Sequence, residues 1–104
     1  MQYSLFSIQL VPGTEEEYDR RHALVWPEMV EAMHACGIRN STGFRRGNEV
    51  FYYAECEPDP VTCYGRLEPL DVNQRWTENF RGIVAERLTE GGHFPFLQFV
   101  SHVD

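Results

Sequence analysis

The segment IRNSTGFRRGNEVFYYAECE, residues 38–57, decides the fold. It predicts two strands, Ile38–Arg45 and Glu49–Glu57, joined by a hairpin turn at Arg46-Gly47-Asn48. The apolar side chains of the second strand alternate between its two faces, with Val50, Tyr52, Ala54 and Cys56 on one face and Phe51 and Tyr53 on the other. Because both faces are apolar, we expect both to be covered in the native protein.

A long helical segment precedes the hairpin. Thr14 followed by Glu17 is typical of a capping box, which predicts a helix over Glu15–Ala35. Gly37 is expected to end this helix at the C′ position. Pro27 interrupts the span, and it should either kink the helix or begin a second helix at the N1 position.

The remaining segments complete a single α+β domain over residues 1–104. They begin with a strand at Tyr3–Val11 and end with a strand at Phe94–Val103. Between them, Asp59-Pro60 opens a short helix that ends near Leu67. Asp71 with Gln74 opens another helix, which runs to about Leu88 and closes at Gly91-Gly92. The order β-α-β-β-α-β indicates a ferredoxin-like split βαβ fold, an antiparallel sheet with helices on one face. Since the third and fourth strands are apolar on both sides, we expect a second copy of the chain to cover the other face, giving a homodimer.

Composition and charge narrow the classes of partner. The formal net charge of −7 disfavours nucleic acid and anionic membranes, because their phosphate groups would be repelled. We expect neither a signal peptide nor a membrane span, since no apolar run reaches the roughly 20 residues that a span requires. Cys36, Cys56 and Cys63 are odd in number and irregularly spaced, which is typical of reduced, buried thiols in a cytoplasmic protein.

The segment around His22 is the most informative about function. Tyr18 and His22 are four residues apart on the predicted helix, so their side chains meet on one face, and Trp26 would follow if the helix continued. Such a line offers an aromatic plane for the C–H groups of a sugar and polar tips for its hydroxyls. Histidine also suits proton transfer, because its ordinary pKa of about 6.5 lies near cellular pH. The same stripe is typical of core packing, so the spacing alone leaves both interpretations open.

The other motifs carry weaker signals. Trp76, in the first turns of the last predicted helix, could line a cleft or pack the helix on the sheet. His34, His93 and His102 lack the spacing of zinc ligands, and neither a glycine-rich phosphate loop nor a Gly-x-Ser-x-Gly elbow occurs. Nothing in the sequence marks Cys63 as an activated nucleophile. We therefore expect neither a metal nor a cofactor.

Two blocks of the sequence resemble the L-rhamnose mutarotase family. They are Glu17-Tyr18-x-Arg20-Arg21-His22-x-x-x-Trp26-Pro27-Glu28 and Asp71-Val72-x-Gln74-Arg75-Trp76, with Gly37 and Asn40 between them. The likeness extends over almost the whole chain. It implies a dimeric ferredoxin-like α/β barrel that interconverts the α and β anomers of L-rhamnose without cofactor or metal. It also implies that His22 is the proton donor and that Tyr18 and Trp76 contact the sugar.

Three positions depart from the pattern of this family. Ser41 stands where the family commonly has a sugar-contacting Tyr, Thr77 where it has a second Trp, and Ala23-Leu24 where it has Asn-Pro. We keep Thr77 in the predicted sugar-binding set with Tyr18 and Trp76. Because part of the pocket wall is smaller and more polar, the sequence predicts L-rhamnose or a related aldopyranose as substrate.

The reaction that the resemblance implies is an acid–base ring opening and closure. His22 as imidazolium would give a proton to the ring oxygen, with Tyr18 orienting it or holding a sugar hydroxyl. The base would be a bound water or a carboxylate such as Asp71. Two other functions stay open: a cofactorless monooxygenase of the antibiotic-biosynthesis type, since small ferredoxin-like dimers host many activities, and a non-catalytic sugar-binding or regulatory dimer.

Overall fold

In the part of the chain that the structure describes, the fold consists of one antiparallel sheet and four short helices. The computed structural model describes residues 2–85 and 96–104. The elements in chain order are β1 (Gln2–Gln9), α1 (Glu15–His22), α2 (Pro27–Ala35), β2 (Ile38–Arg46), β3 (Glu49–Cys56), α3 (Pro60–Leu67) and α4 (Asp71–Glu78). The three strands are antiparallel in the order β1-β3-β2, which confirms the predicted α+β class. None of the helices in the described residues is long and apolar enough to cross a membrane.

The strand register places one face of the sheet against the helices. Phe6 lies opposite Tyr52, and Ile8 lies opposite Val50, so the inward side chains of β1 and β3 stack in pairs. The core contains residues of the strands and of the helices, among them Phe6, Ile8, Ile38, Val50, Ala54, Tyr18, Met29, Tyr64 and Leu67. The three cysteines are buried free thiols, as the sequence predicts.

The break at Pro27 separates two helices. α1 ends at His22, and α2 begins with Pro27 after Trp26, whose φ of −58° and ψ of 136° are not helical. Because proline lacks an N–H and has a fixed φ, it begins a helix more easily than it continues one. Of the two predicted outcomes, a kink or a second helix, the second helix is the one observed. Gly37 follows this helix with a φ of +95°.

The predicted helix caps have mixed outcomes. Asp59 caps α3, because its carboxylate accepts a hydrogen bond from the backbone N–H of Thr62 at 2.8 Å. The capping box at Thr14 is wrong, since this side chain makes no cap hydrogen bond to α1. The Thr14 hydroxyl instead donates to the carbonyl of Val11 at 2.6 Å, and so it stabilises the turn before the helix.

The last helix, α4, is shorter than predicted. Its N-cap is Leu70 rather than Asp71, and it makes no side-chain cap bond. It ends at Glu78. The predicted end near Leu88 and the stop at Gly91-Gly92 lie outside the described residues.

The chain after α4 turns back to the end of β1. Gly82 has a φ of +82°, a conformation that glycine adopts readily and that an α-helix cannot contain. Backbone groups of Ile83 and Ala85, which a longer helix would have used for its own hydrogen bonds, bond instead to the segment that follows β1 and to its last residue. The N–H of Val11 donates to the carbonyl of Ile83 at 2.7 Å, and the N–H of Ala85 donates to that of Gln9 at 2.8 Å.

The strand predicted at Phe94–Val103 is reduced to one bridge in the described residues. The first two positions of the predicted strand lie outside those residues. Phe96 forms an antiparallel bridge with Phe6, and the N–H of Leu97 donates to the carbonyl of Leu5 at 2.6 Å. The chain beyond Leu97 is irregular. The prediction is therefore wrong over most of its described length, although the segment does lie beside β1.

The opposite face of the sheet carries apolar side chains that are exposed or half-buried. Leu5 lies opposite Tyr53, and Phe44 lies opposite Phe51. Tyr53 also stacks with Tyr3, at 5.7 Å between ring centroids. Phe44 is 63 % exposed.

Candidate active site

A cleft of about 1050 Å³ lies between the sheet and the helices. Side chains from all three strands and all four helices line it. Its volume is that of a small-molecule site. The structure brings together in this cleft the four residues that the sequence predicts as catalytic or sugar-binding, which are His22, Tyr18, Trp76 and Thr77.

His22 is the last residue of α1 and is surrounded by aromatic rings. Its ring centroid lies 5.2 Å from that of Tyr18, 5.4 Å from Tyr52, 5.3 Å from Trp76 and 5.5 Å from Phe80. Burial lowers the pKa of the imidazole from its ordinary value of 6.5, because the charged form loses hydration. Neutral imidazole is therefore the main form at pH 7, and protonated His22 is a stronger acid than a free imidazolium.

Tyr18 lies one helical turn before His22 and is 5 % exposed. Its hydroxyl is hydrogen-bonded to the hydroxyl of Tyr52, a contact that links α1 to β3. Burial raises the pKa of Tyr18 to about 12, and burial also raises the pKa of Tyr52. Both phenols are thus neutral at physiological pH, and neutral phenols can both donate to and accept from a hydroxylated ligand.

Trp76 comes from α4 and forms the wall that faces His22. The two rings meet edge to face, with 83° between their planes. Trp76 also packs against Trp26, at 5.0 Å between centroids. Arg75 lies 5.8 Å from the ring of Trp26 and pairs with Glu28 at 3.1 Å. These contacts between α2 and α4 hold the indole of Trp76 in place. Trp26 lies at the start of α2, and not on a continuation of α1.

A β-bulge in β2 brings Ser41 to the cleft. The pairing register of β2 with β3 shifts between Arg39 and Thr42. Asn40, inside the bulge, has a φ of +53°, and its amide donates to the carboxylate of Glu55 at 3.0 Å. Bulges redirect strand side chains, and both Asn40 and Ser41 line the cleft. Ser41 is thus a lining residue, although it is smaller than the Tyr expected from the resemblance.

Two carboxylates near the site are already engaged. The guanidinium of Arg45 donates to both oxygens of Asp19, at 2.9 and 2.6 Å, and these hydrogen bonds hold the pKa of Asp19 below its ordinary value. Asp19 is therefore a weak proton acceptor. Asp71, the base suggested by the sequence, is not among the cleft-lining residues, and it accepts a hydrogen bond from Arg75 at 2.8 Å.

Tyr52 and Phe80 belong to the site, although the sequence does not single them out. The alternation along β3 puts Tyr52 on the same face as Val50 and Ala54, and this was the available signal. Phe80 contacts His22 from the turn after α4. The sequence predicts that this turn is part of the helix. Within residues 2–85 and 96–104, no group of three or more His, Cys, Asp or Glu side chains could hold a metal ion.

Comparison with known proteins gives one consistent result. A family profile described as L-rhamnose mutarotase matches residues 4–95. An L-rhamnose mutarotase of Paraburkholderia xenovorans is 33 % identical over 98 residues, which cover 94 % of this chain and 89 % of that protein. One from Oceanobacillus iheyensis is 26 % identical over 101 residues, covering 95 % of each chain. A crystal structure of an L-rhamnose mutarotase from Formosa agariphila covers 100 % of both chains with a TM-score of 0.81 at 18 % identity, which shows a shared fold.

Proposed function

The chain belongs to the L-rhamnose mutarotase family, and we propose that it interconverts the α and β anomers of L-rhamnose or a related aldopyranose. One observation carries the proposal. A partly buried imidazole, His22, lies in an aromatic cleft, with its ring centroid 5.2 Å from that of the Tyr18 phenol and 5.3 Å from that of the Trp76 indole. That set can hold a pyranose and move a proton at its edge.

His22 acts as the general acid in this proposal. Protonated His22 gives its proton to the ring oxygen, and the bond between that oxygen and C1 breaks with its electron pair going to the oxygen. The anomeric hydroxyl loses its proton and becomes the aldehyde oxygen. Rotation about the C1–C2 bond presents the other face of the aldehyde, and closure reverses both transfers, so no electrons are gained or lost.

The other cleft residues bind and orient the sugar. The indole of Trp76 packs against the C–H groups of the ring, and the hydroxyl of Tyr18 contacts a sugar hydroxyl. Thr77 of α4 and Ser41 of β2, which both line the cleft, supply further polar contacts. Their small side chains leave room for substituents that bulky aromatic residues would exclude.

The proton acceptor is a cleft water or one of the cleft carboxylates. Glu68 and Glu78 line the cleft, and Asp19 lines it while bound to Arg45. Arg45 weakens Asp19 as a base, and Arg81 pairs with Glu78 at 2.9 Å in the same way, so we favour the water, with Glu68 as its partner.

The rival functions make different predictions. Family membership favours the mutarotase over a cofactorless monooxygenase of the same fold class. A non-catalytic sugar-binding dimer would show thermal stabilisation by the sugar without any acceleration of anomer exchange.

The test is saturation-transfer NMR on L-rhamnose, which measures the exchange between the two anomeric protons. We expect the wild-type protein to accelerate exchange and His22→Ala to lose about 10²–10⁴-fold of that acceleration, the usual contribution of a general acid. His102→Ala is the matched control, since His102 is exposed and pairs with Asp104 away from the cleft. Acceleration by folded His22→Ala equal to that of the wild type would contradict the assignment.

We also propose that residues 1–104 form a single mutarotase domain of the ferredoxin-like type, with its C-terminal segment beside β1. The bridge between Phe96 and Phe6 supports this, because it lies at the edge where the fourth strand of that fold would pair. The buried free thiols of the three cysteines support a cytoplasmic location.

The domain is further proposed to pair with a second copy as a dimeric α/β barrel. The exposed apolar face of the sheet supports this proposal, since Phe44 and Leu5 would otherwise remain in water at 63 % and 39 % exposure. The two copies would then cover each other's sheets, which leaves both clefts on the helical sides.

A further inference from the structure

The side chain of Tyr52 connects the sheet to both predicted site residues of α1. It is hydrogen-bonded to the hydroxyl of Tyr18, and its ring lies 5.4 Å from that of His22. Tyr52 comes from the central strand β3, whereas the other two residues come from α1. One side chain of the sheet therefore contacts both predicted site residues of the helix.

Gly43 creates the space that Tyr52 occupies. The two residues are opposite each other in the β2–β3 register. A Cβ atom at position 43 would lie 2.6 Å from Cε1 of Tyr52, which is closer than atoms can approach without movement. Gly43 is not among the glycines with positive φ, so its role concerns room for the ring rather than backbone conformation.

The hydroxyl pair has a definite hydrogen-bonding capacity. Each neutral phenol has one proton, so one hydroxyl donates to the other, and the accepting hydroxyl keeps its own proton free. Tyr18 is 5 % exposed and lines the cleft, so a ligand reaches its oxygen from the cleft rather than from the outer surface. Without the Tyr52 hydroxyl, the O–H of Tyr18 would no longer be held in one direction by this hydrogen bond.

We propose that Tyr52 is a positioning residue that fixes the direction of the Tyr18 hydroxyl next to His22, in a space that Gly43 provides. This inference rests on the proposed mutarotase function. With its orientation fixed, Tyr18 meets the sugar hydroxyl in one geometry, so the substrate is held where the imidazole can reach the ring oxygen.

The experiment is a double-mutant cycle on catalysed anomer exchange with Tyr18→Phe and Tyr52→Phe. We expect Tyr52→Phe alone to lower kcat/KM by about fivefold to twentyfold, the effect of one lost buried hydrogen bond. In the Tyr18→Phe background the same substitution is expected to change kcat/KM less than about twofold, since nothing is left to position. Losses that multiply in the double variant would overturn the proposal.

The matched control is Tyr53→Phe. Tyr53 is the next residue of β3 but lies on the opposite face of the sheet, where its hydroxyl donates to Glu55 at 3.2 Å. This variant removes the same atom from the same strand, and we expect kcat/KM to stay within about twofold of the wild type. An equal loss in Tyr53→Phe and Tyr52→Phe would mean a general effect on the sheet and would overturn the proposal.

A structural measurement accompanies the kinetics. With ¹³C label at Cζ of tyrosine, we expect Tyr52→Phe to shift the Tyr18 resonance, and Tyr53→Phe to leave it unmoved. A Tyr18 resonance that is the same in Tyr52→Phe and the wild type overturns the inference at any level of activity.

The outcomes also separate this inference from the proposed function. A wild-type protein that leaves exchange at the uncatalysed rate overturns the function and this role of Tyr52 together. An active wild type that is disabled by His22→Ala, with a multiplicative tyrosine cycle, overturns only the role of Tyr52.

Discussion

The protonation of His22 is controlled by the rings around it. Four aromatic side chains lie within 5.5 Å of its ring centroid, and burial among them lowers its pKa. A lower pKa reduces the protonated fraction at pH 7 but makes each protonated imidazole a better donor. General acid catalysis is most effective when these two effects balance near the operating pH.

The pH dependence of catalysis follows from the direction of this shift. If His22 acts as the acid, kcat/KM depends on the protonated fraction of the free enzyme, so it should rise as the pH falls from 8 and level off below the lowered pKa, which lies under 6.5. The measurement is anomer exchange by NMR from pH 5 to 8, with the rate in buffer alone subtracted. A catalysed rate that rises with pH would instead assign neutral His22 as the base.

Two of the four aromatic rings around His22, those of Tyr18 and Trp76, belong to residues that the sequence singles out. The spacing of Tyr18 and His22 fixes their contact within one helix, so it could be read from residue numbers. Tyr52 and Phe80 approach from β3 and from the turn after α4. Their contacts depend on strand register and on where α4 ends, which are tertiary properties that local patterns do not contain.

The elements show the same division between local and long-range causes. The β2–β3 turn at Gly47 and the Asp59 cap of α3 were predictable, because each depends on a few neighbouring residues. The end of α4 was not, because the chain after it bonds to the end of β1 through Val11 and Ile83. Competition from a distant strand overrides a helical pattern that is otherwise acceptable.

The junction between α2 and β2 allows a sharp test of one element boundary. Gly37 has a φ of +95°, and a Cβ there would lie 2.1 Å from the carbonyl oxygen of Glu57. We expect Gly37→Ala to lower the free energy of unfolding by at least about 2 kcal/mol, because a left-handed conformation and a backbone clash both oppose it. Urea unfolding followed by tryptophan fluorescence, at one fixed protein concentration, gives the value.

The control for that test is Gly65→Ala in α3. Apart from its chain neighbours and the backbone of its own helix, no atom of the described residues lies within 4 Å of a Cβ at position 65, and the residue is helical. Alanine is a better helix former than glycine, so we expect a gain of about 0.5–1 kcal/mol. A loss in Gly65→Ala as large as that in Gly37→Ala would show that the cost does not come from the junction.

For the whole molecule, the sheet separates two surfaces with different chemistry. Its helical side contains the cleft, and its other side presents Leu5, Phe51 and Tyr53. Phe44 of β2 lies opposite Phe51 and is also one of the residues that line the cleft. Consecutive residues of β3 alternate between these surfaces, so the strand that carries Tyr52 toward the cleft carries its neighbours toward the exposed face. Covering that face would also restrain the strand that holds Tyr52.

This arrangement leads to a prediction about the state of the protein in solution. We expect light scattering at micromolar concentration to give twice the mass of one 12.1 kDa chain, because a flat apolar sheet face gains stability when a second copy covers it. Phe44→Asp should lower the mass toward that of one chain, since it places a charge at a residue that is 63 % exposed on this face. Val61→Asp is the control, because Val61 is similarly exposed, at 67 %, but lies on α3, and its mass should equal that of the wild type. A wild-type mass of one chain, or an equal drop in both variants, would contradict pairing through the sheet.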